Sequence, residues 1–203
     1  MLTPTALSPL ALSNLFGTER VITTACSRIF LPPRPSPGSP AAGPGHAYKV
    51  RLPVRLAYLD FTTLAARRLA SREELRLNAD LAPGVYQTLL TIAIVPDGTL
   101  HLHEGGDPLQ PGVEAVDVAV RMRNLPESGM LPAILAQRTL TPDERRALVA
   151  RLADFHARAA TGPEIARHGS LDALRSELLG NLDQCRPFAV PGGVIAPAAL
   201  DRL

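Results

Sequence analysis

Residues 32–46 read PPRPSPGSPAAGPGH and carry six of the chain's 20 prolines. No helix or central strand runs through such a stretch, because proline removes backbone donors and fixes φ. It is expected to be a flexible surface loop, so the fold must be assembled from the short segment before it and the long one after. Gly38 and Gly43 have the spacing of a phosphate-binding P-loop. Pro44-Gly45 follow where Lys-Ser or Lys-Thr is needed, which excludes that motif.

The rest of the composition is ordinary. With 203 residues, 46% apolar and 20% charged, the chain has length for one domain or one and a half and for a real core. No apolar run approaches the roughly 18 residues of a membrane span. The first 17 residues lack a basic n-region and are broken by Pro4 and Pro9, which argues against a signal peptide. A net charge of +2 makes no case for nucleic acid. Cys26 and Cys185 alone build neither a disulfide framework nor a metal cluster. The expectation is a cytoplasmic globular protein without a membrane or nucleic-acid partner.

Periodicity and turn chemistry order the elements. A short helix is expected over 5–15, then brief strands over 21–25 and 28–31 around a Cys26-Ser27 turn. The stretch 47–54 carries a strand that ends before Pro53, and 56–61 is a turn or short strand. Thr62 or Thr63 caps a helix running to about Asp80, stopped by Pro83-Gly84. Ala66, Leu69, Ala70 and Leu77 mark its apolar face, with Glu73 near the middle and Glu74 at the border. The run 85–95, the Pro96-Asp97-Gly98 turn and the return over 99–103 form a hairpin. A loop over 105–112 leads to a strand over 113–122. After a linker, Thr141-Pro142-Asp143-Glu144 opens a helix with Leu148, Leu152, Phe155 and Ala159 as its buried stripe. A last helix covers about 170–183. Roughly five strands with one inserted helix, followed by helices, is an α+β order rather than alternating βαβ.

Basic residues are almost all arginine: 20 Arg against the single Lys49. A compact ammonium on a flexible stem suits a phosphate where a planar guanidinium does not substitute for it. A strand with a lysine, a helix with an inward glutamate, then an antiparallel β-meander and a linker into helices describes a protein-kinase-like small lobe. There the lysine meets the α/β-phosphates of ATP and the glutamate holds it. Lys49 is expected to reach the cleft and Arg51 to stay outside it.

The local sequence resembles a bacterial family, the aminoglycoside-phosphotransferase-like domain often fused to a gluconate-kinase-like ATPase. Its members read Y-K-x-K-K-P-V, L-D-F-S-T-L, C-E-x-E-L-x-L-N and L-A-P-x-L-Y. Here Tyr48-Lys49, Pro53-Val54, Leu59-Asp60-Phe61, Glu74-Leu75, Leu77-Asn78, Leu81-Ala82-Pro83 and Tyr86 match in order. AVRMRNLP (119–126), ARLADFHARA (150–159) and Asn181-Leu182-Asp183-Gln184 extend the likeness over most of 20–188. The resemblance implies that Lys49 is the phosphate lysine and Glu74 its partner, with Glu73 the alternative that the helical wheel prefers. It implies that backbone groups of Met122, Arg123 and Asn124 face adenine, and that the Thr24–Ser27 turn lies over the phosphates. That turn reads Thr23-Thr24-Ala25-Cys26-Ser27 where the family has E-T-H-I-S. ATP, with Mg in the full-length relatives, is the implied cofactor. The implied partners are a nucleotide, a small-molecule acceptor and a fused or missing P-loop kinase domain.

A catalytic loop of the form H-x-D-x-x-x-x-N is missing. Two residues after the five histidines stand Tyr48, His103, Gly105, Arg158 and Ser170. His168-Gly169-Ser170 imitates the motif, with Ser170 in place of the base and Arg175 in place of the metal-binding Asn. His101 and His103 share a strand face without a third ligand for zinc, and His156 beside Phe155 reads as a packed or capping residue. The expected organisation is a nucleotide-binding lobe over 1–124 and, over 125–203, a linker and the opening helices of an incomplete large lobe. The expected function is the N-terminal part of an ATP-dependent small-molecule phosphotransferase, without catalytic residues or metal ligands and inactive alone. The alternative is a non-catalytic interaction module derived from such a kinase, with the apolar stripes of 141–183 partly uncovered.

Overall fold

The computed structural model describes residues 7–34, 45–56, 58–104 and 109–190. The middle of the Pro-rich stretch (35–44) and residues 105–108, within the loop expected over 105–112, therefore lie outside the described residues. Helix α1 (Pro9–Phe16) precedes strands β1 (Arg20–Thr23), β2 (Ser27–Leu31) and β3 (His46–Arg51). A two-residue hairpin, β4 (Arg55–Leu56) and β5 (Leu59–Asp60), leads into α2 (Leu64–Leu81). Strands β6 (Tyr86–Ile94), β7 (Leu100–Glu104) and β8 (Glu114–Arg123) follow, then α3 (Leu131–Gln137) and α4 (Pro142–Arg158). Two compact units divide at 153/154, and the second also holds α5 (Pro163–Ala166) and α6 (Leu171–Cys185). Among the described residues no helix is long and apolar enough to cross a membrane.

The fold is α+β, and its main sheet has six antiparallel strands in the order β1-β2-β3-β8-β6-β7. That corrects the expected meander, because β8 returns between β3 and β6. The reason lies in β8 itself, which is buried continuously from Val116 to Val120. A strand with both faces apolar belongs at the centre of a sheet, whereas β7, with His101, His103 and Glu104, tolerates an edge.

Each side of the sheet carries one helix. On the α1 side Leu12, Phe16, Phe30, Val50, Leu90, Ile92, Val116 and Ala119 make the hydrophobic core. Phe16 stacks on Tyr48 at 4.4 Å and tilts against Phe30 at 5.1 Å. Ser8 caps α1 through the Ala11 N–H, and Gly17 closes it at φ 61°, a conformation that costs glycine little.

The second side corrects the reading of α2. Thr63 is the cap, accepting from the Ala66 N–H, but Leu69 and Leu77 are 64% and 56% exposed. The face turned inward carries Leu64, Arg67, Ser71, Glu74, Leu75 and Asn78 instead. Polar groups occupy it because the sheet offers them partners, as described below.

The linker after β8 also contains structure, since a 3-10 turn (Glu127–Gly129) and α3 fill it. In α4, Thr141 and Glu144 exchange the bonds of a capping box, Glu144 N–H to Thr141 Oγ1 at 3.2 Å and Thr141 N–H to Glu144 Oε2 at 2.8 Å. Its expected stripe is not buried: Leu148 and Leu152 are 44% and 43% exposed. Ser170 of the His168-Gly169-Ser170 imitation caps α6 through the Ala173 N–H.

Two outcomes follow. Phe16→Ala, which removes the ring that joins α1 to the sheet, is expected to cost about 3 kcal/mol in chemical denaturation, and Leu10→Ala on the exposed side of α1 under about 0.5. Glu144 is held down to about 2 from 4.5 by Arg138 and the Thr141 N–H. Its support for α4 is therefore complete above about pH 4.5 and is lost as pH falls toward 2. Amide-exchange protection in the first turn of α4 should decline over that window.

Candidate functional site

Alternation along β3 places Ala47, Lys49 and Arg51 on the α2 side, with Lys49 opposite Ile29 of β2 and Val120 of β8. From α2, Glu74 meets both cations. Its Oε1 accepts from Lys49 Nζ at 2.7 Å and its Oε2 from an Arg51 terminal nitrogen at 2.7 Å. Arg51 also donates to Ser71 Oγ at 3.3 Å and to the Ala70 carbonyl at 3.1 Å, and its guanidinium stacks 4.7 Å from the Phe61 ring centre. The β4–β5 hairpin supplies that ring, tied by the Phe61 N–H to the Val54 carbonyl at 2.9 Å. Tyr86 borders the cluster; burial and the Glu74 carboxylate beside it raise the phenol above its ordinary range.

A second polar cluster anchors the other end of α2. Arg67 Nε donates to Asp117 Oδ1 at 2.9 Å, and Arg67 also reaches the carbonyls of Phe61 at 2.9 Å and Thr62 at 3.2 Å. Both side chains are at least nine-tenths buried. On β8 the register skips Val116, a bulge beside Asp117 that re-aims side chains, and Asp117 Oδ1 takes the Val118 N–H at 2.9 Å. Burial pushes the Asp117 carboxyl up, against the pull of Arg67 and of that N–H.

Lys49 and Glu74, the two residues expected to pair, are together. Glu73 is not with them: it lies on the exposed side of α2 and binds Arg76 at 2.7 Å, which lowers its carboxyl. Met122 stands opposite Ala47 and Tyr86, on the face that carries Lys49. The N–H groups of Arg123 and Asn124 are taken by the carbonyls of Val85 and Gly45, both at 2.8 Å, so neither is a free donor for a base. The Thr24–Ser27 turn is closed by Thr24 Oγ1 accepting from the Ser27 N–H at 3.0 Å. It lies at the Arg51 end of β3, where the Leu52 N–H meets the Cys26 carbonyl at 2.8 Å.

Arg51 is the correction to the expected site. It was expected outside the cleft, yet it shares Glu74 with Lys49. The signal was in the sequence, because residues two apart on a strand share a face. Ser71, one helical turn before Glu74, was legible in the same way. Arg67 and Asp117 were not, since fifty residues separate them.

Among the described residues no group of three His, Cys, Asp or Glu side chains is placed to hold a metal ion. A shallow depression lined by Pro142, Arg145, Arg146, Val149 and Ala150 shares no residue with the Lys49 cluster. The geometry defines a class of site: a cationic cluster on one side of an antiparallel sheet, with Met122 on the same face. No family model, curated protein or solved structure matches the chain.

Breaking the Arg67–Asp117 pair on one side leaves a buried charge alone. Asp117→Asn or Arg67→Met should each destabilise by about 3–5 kcal/mol, and the double change Arg67→Met/Asp117→Leu should recover much of it. Denaturant midpoints of the three variants measure this.

Proposed function

We propose that the chain is the nucleotide-binding lobe of an ATP-dependent small-molecule phosphotransferase of the protein-kinase-like type. The single observation that carries this reading is the 2.7 Å contact between Lys49, the chain's only lysine, and Glu74 of the helix inserted after its strand. The antiparallel sheet and the helix inserted between β3 and β6 support it, while the strand order departs from the expected meander. Met122, half-buried on the same sheet face as Lys49, offers a base an apolar neighbour, and Lys49 on the adjacent strand would meet phosphates. In this reading Glu74 orients the ammonium, and the base meets Met122–Asn124 through carbonyls rather than through the engaged N–H groups. ATP would bring the phosphoryl group.

The chain's own residues bind and orient. No histidine of the sequence opens H-x-D-x-x-x-x-N, so neither a base nor a metal-binding Asn is assigned here, and phosphoryl transfer is not assigned to this polypeptide by itself. The second reading, an interaction module, draws on exposed leucines of α6, where Leu171 and Leu178 are 86% and 65% exposed.

Displacement of a fluorescent nucleotide by ATP separates the two readings. Lys49→Ala should weaken ATP about tenfold, and Lys49→Arg should restore only part of it, because the planar fork does not replace a compact ammonium. Equal affinity in wild type and Lys49→Ala, or no ATP binding at all, would overturn the nucleotide reading and leave the module.

A further inference from the structure

The Lys49 cluster holds one more cation than carboxylates. A lysine with a glutamate to itself is a neutral pair, and its pull on an approaching anion is only that of a dipole. Arg51 changes this balance from a position fixed independently of Lys49, by Ser71, the Ala70 carbonyl and the Phe61 ring. Glu74 therefore keeps a partner when the ammonium turns to a ligand. Exposure divides the roles as well: Lys49 is 23% exposed, Arg51 and Glu74 12% each, so an incoming anion meets Lys49.

We infer that Arg51 is the positioning residue of a polyphosphate site at Lys49. It cancels and orients Glu74, so that Lys49 keeps its own charge for the ligand. The inference rests on the nucleotide reading above and deepens it by naming the residue that frees the lysine. The chemistry recognised is a run of linked phosphates, whether in a nucleoside triphosphate or in an inorganic chain.

Calorimetric titration of the full chain with inorganic tripolyphosphate, and separately with ATP, tests this in wild type, Arg51→Gln and Arg51→Gln/Glu74→Gln. Arg51→Gln takes the cluster from one net positive charge to none and should weaken tripolyphosphate about tenfold. The double variant regains the net charge and should return to within about threefold of wild type. A direct phosphate contact by Arg51 would not be rescued in this way, and a purely structural role would change the melting temperature without changing the affinity of the folded protein. Because Lys49 is the only lysine, protein labelled with 13C-lysine shows the site as one side-chain resonance. That resonance should shift with tripolyphosphate in wild type and the double variant. It should stay unmoved in Arg51→Gln at the same concentration. If Arg51→Gln does not fold, rescue is read from the double variant alone, whose affinity must match wild type within that range. Wild type that ignores tripolyphosphate, Arg51→Gln that binds it fully, or a double variant that stays weak each overturns the inference. Failure of the nucleotide reading looks different: tripolyphosphate binds with the full Arg51–Glu74 rescue, while ATP binds no tighter than tripolyphosphate.

Discussion

Helix α2 is fastened to the sheet by charge. Its two inward anchors, Arg67 on Asp117 and Glu74 on Lys49 and Arg51, lie seven residues apart on one face, two turns along the helix. Apolar contact alone would let a helix slide or roll over a sheet at modest cost, since the hydrophobic effect is non-directional. Ion pairs with hydrogen-bond geometry do not allow that, because a displacement of one turn would strand a buried charge. The register of α2, and with it the place of Glu74, follows from these contacts.

The two sides of the sheet therefore do different work. The α1 side is dry, with Phe16, Phe30 and Ile92 interlocked, and supplies the burial that holds the strands together. The α2 side leaves its charged groups partly open to solvent at Lys49 and closes them at Arg67. Arg67, near the start of α2, is thus a fixed anchor, and Glu74, near its middle, holds a cation of β3 that solvent reaches. A site needs both: a lysine on an unanchored helix interface would lose its orientation, and a lysine enclosed like Arg67 would meet no ligand.

What the sequence disclosed, and what it hid, follows from the range of each interaction. Local signals were readable: a cap at Thr62 or Thr63, of which Thr63 is used, Thr141 as a cap, the Pro96-Asp97-Gly98 turn, and the alternation that sets Lys49 on one face of its strand. The α2 wheel failed because it scores apolar side chains, and here Leu69 and Leu77 are outside while Arg67, Ser71 and Glu74 are inside. Partners that make a polar face inward lie on strands 20 to 50 residues away, which no local window sees. The place of β8 also had a signal in the sequence, an apolar run over 115–120 broken only by Asp117. In α3, Met130 caps without a side-chain bond, so Pro132 marks its start without the capping box that revealed α4.

Electrostatics also explains why a site of this kind gains from two cations on one carboxylate. Unit charges 6 Å apart attract by about 3 kcal/mol at an effective permittivity near 20 and by about 0.7 kcal/mol in bulk water, so one uncompensated charge at a partly wet surface changes a phosphate's affinity by about tenfold. A Lys–Glu pair by itself gives that up, since the glutamate that orients the ammonium also cancels it. Truncating the glutamate to alanine would free the charge and lose the orientation, whereas glutamine in its place frees the charge and keeps an oxygen for Lys49. Arg51 resolves the conflict because its own position is fixed by other groups: it takes the second oxygen of Glu74 and leaves the first where Lys49 needs it. Orientation and charge are then supplied by different residues, and the lysine that faces solvent carries both.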